Sequence, residues 1–449
     1  MEIDRNGTIP PVTTEPQLRR SHFVDLTPFR RSPAFFRLWL GGGIAGIGSQ
    51  MTVVAVGLHI YALTGSTAAV ALAGVVGLLP MVLAGIYGGL LVDTFDRRIV
   101  ALIAETVAWA AVVGLALLAW FHVDTLWIFY VLTTLNAVSV TVVSTTRAAI
   151  VPRLIDKELL PAASALGGIS LGIQVTVGPA LAGVLVAGIG IQWTYTIDAV
   201  LFIAAFTGIL TLPAIVPEGT TKRAGWEGVM EGLRFIRTAP NIRLSFVLDL
   251  IAMTFGMARV LFPAVGALVI GGGAVTVGIL SAAGAAGVLL SSLLSGRLGQ
   301  VRWQGKAIRN AIMAYGACMA LFGLVLLPLG STASGSITQS FGDANLPALI
   351  AAAIALAGAG ASDNISAVFR NTLMQAAAPD SMRGRTQGLY IVVVTGGPRL
   401  GDAYVGLVAA TTLLWLPSLF GGIVIVVLVA ILVQVHRSFK HYDALNPVA

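Results

Sequence analysis

The chain has 449 residues, of which 57% are apolar and only 10% charged. Soluble domains carry about 25% charged residues. Most of this mass therefore belongs in a bilayer, and a water-soluble domain is excluded. The net charge of +7 is no nucleic-acid footprint, because the bases are distributed as a membrane protein distributes them. The single cysteine, Cys318, lies in an apolar run and reads as a small core residue. It leaves no internal disulfide framework and no thiolate metal cluster.

Residues 1–34 are polar, rich in Pro, Thr and Arg, and lack the apolar core of a secretory signal. They read as a cytoplasmic tail. A spanning helix needs about 20 mostly apolar residues. The runs predict twelve, at 35–62, 66–91, 97–121, 125–146, 163–187, 192–213, 243–270, 274–296, 307–329, 346–373, 386–410 and 415–436. The runs lack the alternation of strands, and helices satisfy their own backbone in lipid. The fold expected is all-α and integral to the membrane. It has a six-helix bundle over 35–213, a cytoplasmic linker over 214–242, a second six-helix bundle over 243–436 and a cytoplasmic tail over 437–449.

All of the 27 Lys and Arg but Arg259 and Arg399 lie in the tails, in the loops on the same side, or at helix ends beside them. The opposite loops hold none. The positive-inside rule then places both termini in the cytoplasm, with the bases facing anionic lipid. Trp120, Trp127, Trp193 and Trp415 fall at outer helix ends and Trp39 at an inner end, as interfacial belts do. In the linker, Trp226, Val229, Leu233 and Ile236 recur at helical spacing, predicting a short amphipathic helix on the inner surface.

The halves repeat weakly. TTRAAIVPRLIDKELLPAASAL followed by VGPALAG answers to VFRNTLMQAAAPDSMRGRTQGL followed by GGPRLGD. Arg147 and Arg370 correspond, as do Gly178-Pro179 and Gly397-Pro398. Two such halves suggest a pseudo-symmetric transporter with its site between them.

GGLLVDTFDRR at 88–98 resembles the signature loop of the major facilitator superfamily, on Gly88 or Gly89, Asp93, Arg97 and Arg98. Glycines permit close helix approach, an aspartate can cap the next helix, and arginines can bridge to a neighbour. The resemblance implies a conformational latch. The bland alternative is a positive-inside turn. The second copy, SGRLGQVRWQGK, has Gly296 where the aspartate belongs. VGPALAG resembles the superfamily's antiporter motif on Gly178, Pro179 and Gly183, with Ala182 replacing one expected glycine. A merely kinked, packed helix is the alternative. GSQMTVVAVGLHIYALTGS, YTIDAVLF, MARVLFP and SMRGRTQGLYIVVVTGGPRLGD together resemble the enterobactin-exporter-like branch, which includes siderophore exporters and relatives that export antibiotics. Gly57 departs from it, where a proline is expected.

Charge inside a bilayer is a functional hypothesis by default. Arg399 and Asp402 fall near the midplane of helix 11, and Asp363 near the middle of helix 10. Arg259 lies roughly 16 Å from the outer end of helix 7, and Asp198 is shallower in helix 6. These five are the candidate proton and substrate site. Arg399 would bind an anionic group or hold Asp402 ionised, and Asp402 would take a proton when that hold relaxes. Asp363 is the rival proton carrier. The alternatives are a self-neutralising Arg399–Asp402 pair and a structural Asp198–Arg259 pair. Glu105 and Asp249, about 9–12 Å in from the cytoplasmic side, are candidate latch partners for Arg97, Arg98 and other cytoplasmic bases. His59, near the outer end of helix 1, is an interfacial histidine or a proton relay.

GGGIAG at 41–46 fits a dinucleotide fingerprint but lies inside a span, and GQVRWQGKA misses a phosphate loop in spacing and in its last residue. The five histidines are scattered. No enzyme, cofactor or metal site is expected. The partners expected are a small-molecule substrate, protons and lipid, with the protein a monomer. The function expected is export of a siderophore-like metabolite or amphipathic drug by proton antiport. An importer or uniporter of the same fold, or a non-transporting scaffold or sensor, is the alternative.

Overall fold

A computed structural model describes residues 25–156, 159–216, 226–293, 301–330, 341–411 and 413–444. Among them the chain is helical, with one isolated antiparallel bridge between Trp303 and Asp443. Eleven helical stretches are long and apolar enough to cross a bilayer. In the first half these are α2 (Pro33–Thr64), α3 (Thr67–Thr94), α4 (Arg97–Trp120), α5 (Leu126–Leu154), α6 (Leu160–Ile189) and α7 (Ile191–Leu210). In the second half they are the interrupted stretch Pro240–Val269, which opens with α9 (Pro240–Gly256), then α11 (Gly273–Leu293), α12 (Gln304–Gly330), α13 (Leu346–Ala377) and α15 (Leu416–Val435). The expected span 386–410 lies in α14 (Asp380–Thr411), equally long but the least apolar of the long helices, because Arg399, Asp402 and its glycines fall within it. Among the described residues the expected twelve spans are thus matched by eleven, with α14 the exception.

Local chemistry sets the ends. The Ser32, Ser66 and Asn345 side chains accept from the backbone N–H groups of Phe35, Ala69 and Ala348, capping α2, α3 and α13. Pro33 and Pro240 stand in the first turns of α2 and α9, where no N–H is needed. Gly65 ends α2 at φ +62°, the left-handed position that favours glycine.

The packing repeats between halves. In the first, α2 packs on α6 and α7, α3 on α5, and α4 on α5 and α7. In the second, α9 packs on α14 and α15, α11 on α13, and α12 on α13 and α15. The halves meet along two seams, α3 with α14 and α6 with α11. Leu79, Leu293 and Val435 point outward, as a lipid-facing surface requires. Small residues line the seams instead.

α8 (Trp226–Thr238) occupies the linker where an amphipathic helix is expected, and its Ile236 is buried. The segments expected as tails also hold structure. α1 (Thr27–Arg31) precedes α2, and its Phe29 ring lies 5.0 Å from that of Trp39. α16 (Arg437–Lys440) follows α15 with Phe439 fully buried. Trp120 and Trp193 meet edge to face at 5.1 Å, at the ends of α4 and α7 away from the termini.

Candidate functional site

The site begins with a break in a helix. α9 stops at Gly256, and Met257 is extended. A short 3-10 turn, Arg259–Leu261, follows. Pro263 explains the break. It has no N–H to offer the carbonyl of Arg259, so Phe262 takes that carbonyl in the tighter pattern. Tyr315 of α12 donates its hydroxyl to the freed carbonyl of Gly256 at 2.9 Å. Irregular backbone inside a membrane is tolerated where such partners, or a cavity, receive it.

Arg259 projects from this break onto Asp402 of α14. Its Nε donates to Oδ1 at 3.2 Å and its Nη2 to Oδ2 at 2.8 Å, the two-pronged geometry a guanidinium makes best. Arg399 adds Nη1 to the same Oδ2 at 3.7 Å, one helical turn away. Gly397 and Gly401 bring α14 close enough: a Cβ on either would meet Met253 or Met257. Gly74 of α3 does the same from the other half, lying against Asp402 and Arg399. Asp402 is buried, whereas 43% of the Arg259 side chain is exposed. Two cations share one carboxylate, so the cluster carries a net positive charge.

A second cluster lies nearer the termini. Arg370 of α13 reaches Asp249 of α9 at 2.8 Å, and both side chains are buried. It also reaches Asp363, two turns earlier on its own helix, at 3.7 Å. Its Nη1 donates to Ser366 at 3.1 Å. Here two carboxylates share one cation.

The first half is plainer. Arg147 of α5 pairs with Glu105 of α4 at 2.5 Å and lies against Gly42 of α2. Asp198 of α7 accepts from the Thr52 hydroxyl at 2.5 Å, and its other oxygen is buried without a hydrogen-bond partner. His59 lies 3.5 Å from the Tyr195 hydroxyl and edge-on to Phe129.

Glu105 and Asp249 are expected to face Arg97, Arg98 or other cytoplasmic bases. They face Arg147 and Arg370 from neighbouring helices, while Arg97 and Arg98 reach backbone carbonyls. Asp198 and Arg259 stand on different clusters in different halves. The cap of α4 is Asp96, the residue next to the helix start, whose carboxylate accepts from Arg98 N–H at 2.9 Å and Ile215 N–H at 3.1 Å. The Asp93 side chain and the first half of the second loop copy, residues 295–300, lie outside the described residues. Arg97 donates to Ala149 O at 2.9 Å and Arg98 to Leu210 O at 2.7 Å, tying the loop to α5 and α7. Gly88 packs on Val142 of α5, while Gly89 faces open space.

In α6, Gly178 lies against Ile47 and Gln50 of α2. Gly183 crosses to the other half: a Cβ there would strike the backbone of Ala274 and Gly278 in α11. Pro179 stands between them, with its carbonyl against Gly278. Arg147 and Arg370, central to two clusters, were visible as repeated arginines, but nothing in their spacing named a partner. Thr52, Gly74 and Ser366 gave no signal.

The whole chain also compares with known proteins. Residues 24–448 match the family described as transmembrane secretion effector. The chain belongs to that family. It is a multi-pass membrane transporter of the major facilitator type, and not an enzyme. It is 27% identical to the enterobactin exporter EntS of Citrobacter koseri, over 86% of this chain and 88% of that protein. It is 26% identical to EntS of Salmonella typhimurium, over 96% and 99%. Solved structures share the fold. One is a bacterial homologue of the iron transporter ferroportin in an inward-facing state, with TM-score 0.64 and 15% identity over 91% of this chain and 98% of that one. Another is a POT family transporter in complex with a thioalcohol-conjugated peptide, with TM-score 0.70 and 11% identity over 91% and 96%.

Proposed function

We propose that the protein exports a small, anion-bearing molecule from the cytoplasm in exchange for protons, by alternating access of its two halves. The observation that carries this reading is the cluster of Arg259, Arg399 and Asp402. Its two guanidiniums outnumber their carboxylate, and Arg259 stays substantially open although it sits at a mid-span helix break. Such a place suits an anionic ligand group. Arg399 and Arg259 bind the anion, and Asp402 holds the two forks in position.

The seams support the direction. Gly183 against Gly278, and Gly406 against Ala68 and Ala71, lie toward the face away from the termini. Gly89, Gly167 and Gly168, on α3 and α6 toward the terminal face, have no neighbour within 4 Å of a built Cβ. The basic loops lie on that terminal face, which the positive-inside rule makes cytoplasmic. The cluster in this state is then reached from the cytoplasm, as loading for export requires. The loop tied by Asp96, Arg97 and Arg98 serves as the latch of the first half. The protein works as a monomer, its basic face against anionic lipid.

The relatives' printed cargo supplies the first probe, enterobactin, as a siderophore-like metabolite. Inside-out vesicles holding a pH gradient are given labelled enterobactin. Inward movement of the label that dissipates the gradient is expected. Label that moves without proton flux would point to a uniporter. Movement only in right-side-out vesicles would point to an importer.

A further inference from the structure

We propose that Asp249, Asp363 and Arg370 form an exchangeable proton-binding site, and that the proton used in exchange sits there rather than on Asp402. As a coupling site this rests on the antiport reading above; as a proton site it stands on its own geometry.

With both carboxylates ionised, the cluster holds one net negative charge inside a span. Asp249 is fully buried at 0% exposure and its Arg370 partner at 2%. Neither Asp249 oxygen has a hydrogen-bond partner, and neither has the Nε of Arg370. A buried charge needs a partner and satisfied hydrogen bonds. Here one guanidinium answers two carboxylates, with the nearer at 2.8 Å and the farther at 3.7 Å. Like charges sharing one cation in a poorly solvated place cannot both stay ionised cheaply. One proton removes the excess, and the pair holds it jointly.

Among the described residues, nothing else nearby supplies that neutralisation. Ser366 receives a bond from Arg370 and stands on the same helix. Among the described residues, Tyr390 of α14 and Tyr315 of α12 also face the cluster, and a phenol is ordinarily neutral at physiological pH. Tyr390 receives a bond from Asn371 at 3.4 Å, and Tyr315 is committed to Gly256. The spans α11 and α15 carry no ionisable side chain.

The two carboxylates divide the work. Asp249 is sealed, whereas 30% of the Asp363 side chain is exposed, so the proton enters and leaves at Asp363. Asp402 has the opposite balance, with two cations on one carboxylate. Asp249 lies before the break at Gly256 and Arg259 after it. A proton on one side and an anion on the other thus act on the same interrupted helix.

The test is infrared difference spectroscopy of the purified full-length protein in lipid, between neutral and alkaline buffer. All variants carry Asp198→Asn, because Asp198 is a second buried carboxylate with a hydroxyl partner and no cation. In that background the otherwise wild-type protein is expected to show a carboxylic-acid C=O band that disappears on deprotonation. Asp363→Asn should lose that band, because Asp249 then has Arg370 to itself. Asp363→Glu should keep it at a shifted frequency, and Asp402→Asn should leave it unchanged. Asp363 is the safer position to vary, since Asp249→Asn strands a buried arginine. No titrating band in that otherwise wild-type protein, a band intact in Asp363→Asn, or a band lost in Asp402→Asn overturns the proposal.

The same protein is then tested for pH-driven enterobactin movement. If the band behaves as expected and wild type moves no enterobactin, the proton site stands and the exporter reading fails. If wild type moves enterobactin with protons and the band survives Asp363→Asn, the exporter reading stands and this site fails.

Discussion

The two halves place an arginine at matching positions, Arg147 on α5 and Arg370 on α13, and then treat it differently. Arg147 meets one carboxylate, Glu105, and the account is neutral. Arg370 meets two, Asp249 and Asp363. The lead helices show where the difference arises. Both begin at a proline, Pro33 and Pro240, and counting from it Gly42 and Asp249 occupy the same position. Arg147 lies against Gly42 as Arg370 lies against Asp249. The first half has space where the second has a charge. Both arginine clusters of unequal charge, one positive and one negative, belong to the second half, while the first half's buried Asp198 has the Thr52 hydroxyl in place of a cation. The scaffold is symmetric, and the electrostatics that a transport cycle needs are not.

The largest effect is expected from breaking the positive cluster. Arg259→Gln leaves Asp402 with only the 3.7 Å contact to Arg399. Hydrogen bonds to charged groups contribute about 1.5–3 kcal/mol, so enterobactin uptake into inside-out vesicles should fall roughly 10- to 100-fold. A change that leaves uptake untouched would remove this cluster from the cycle.

A seam comes next. Gly183→Leu drives a side chain into the α11 backbone at Gly278. Overpacking of this kind costs about 1–3 kcal/mol. The variant should populate less of the state closed away from the termini, read as greater labelling of a cysteine placed on the far side of the cavity.

The comparison itself can be sharpened by making the halves alike. Gly42→Asp places a carboxylate against Arg147, where a Cβ already meets its guanidinium. In the Asp198→Asn background, a second titrating C=O band should appear in the infrared spectrum. Its absence would show that the arginine's partner count does not set protonation.

The smallest effect belongs to the exposed pair between Arg302 and Asp443, at 2.7 Å beside the Trp303 bridge. Exposed ion pairs contribute little. Arg302→Ala should barely move the Tm, and added salt should remove what difference there is.

The spans were legible because long apolar runs admit one solution in lipid. The linker helix was legible from the spacing of Leu233 and Ile236. The break in α9 was not, although Pro263 was in plain view, since proline is tolerated in many membrane helices. Arg399 and Asp402 were legible as a pair one turn apart. Their stronger partner, Arg259, came from another helix far away in sequence, and spacing along one helix says nothing about what faces it. Glu105 and Asp249 were recognised as needing cytoplasmic bases, but spacing along one helix could not single out Arg147 and Arg370 from Arg97 and Arg98.

Proton flux tied to cargo at the positive cluster is what the proposed exchange most directly requires. The decisive measurement follows a pH-gradient probe in inside-out vesicles as enterobactin is added, for wild type and Arg259→Gln. Collapse of the gradient in wild type and its loss in the variant is the predicted result. Equal collapse in both would contradict it.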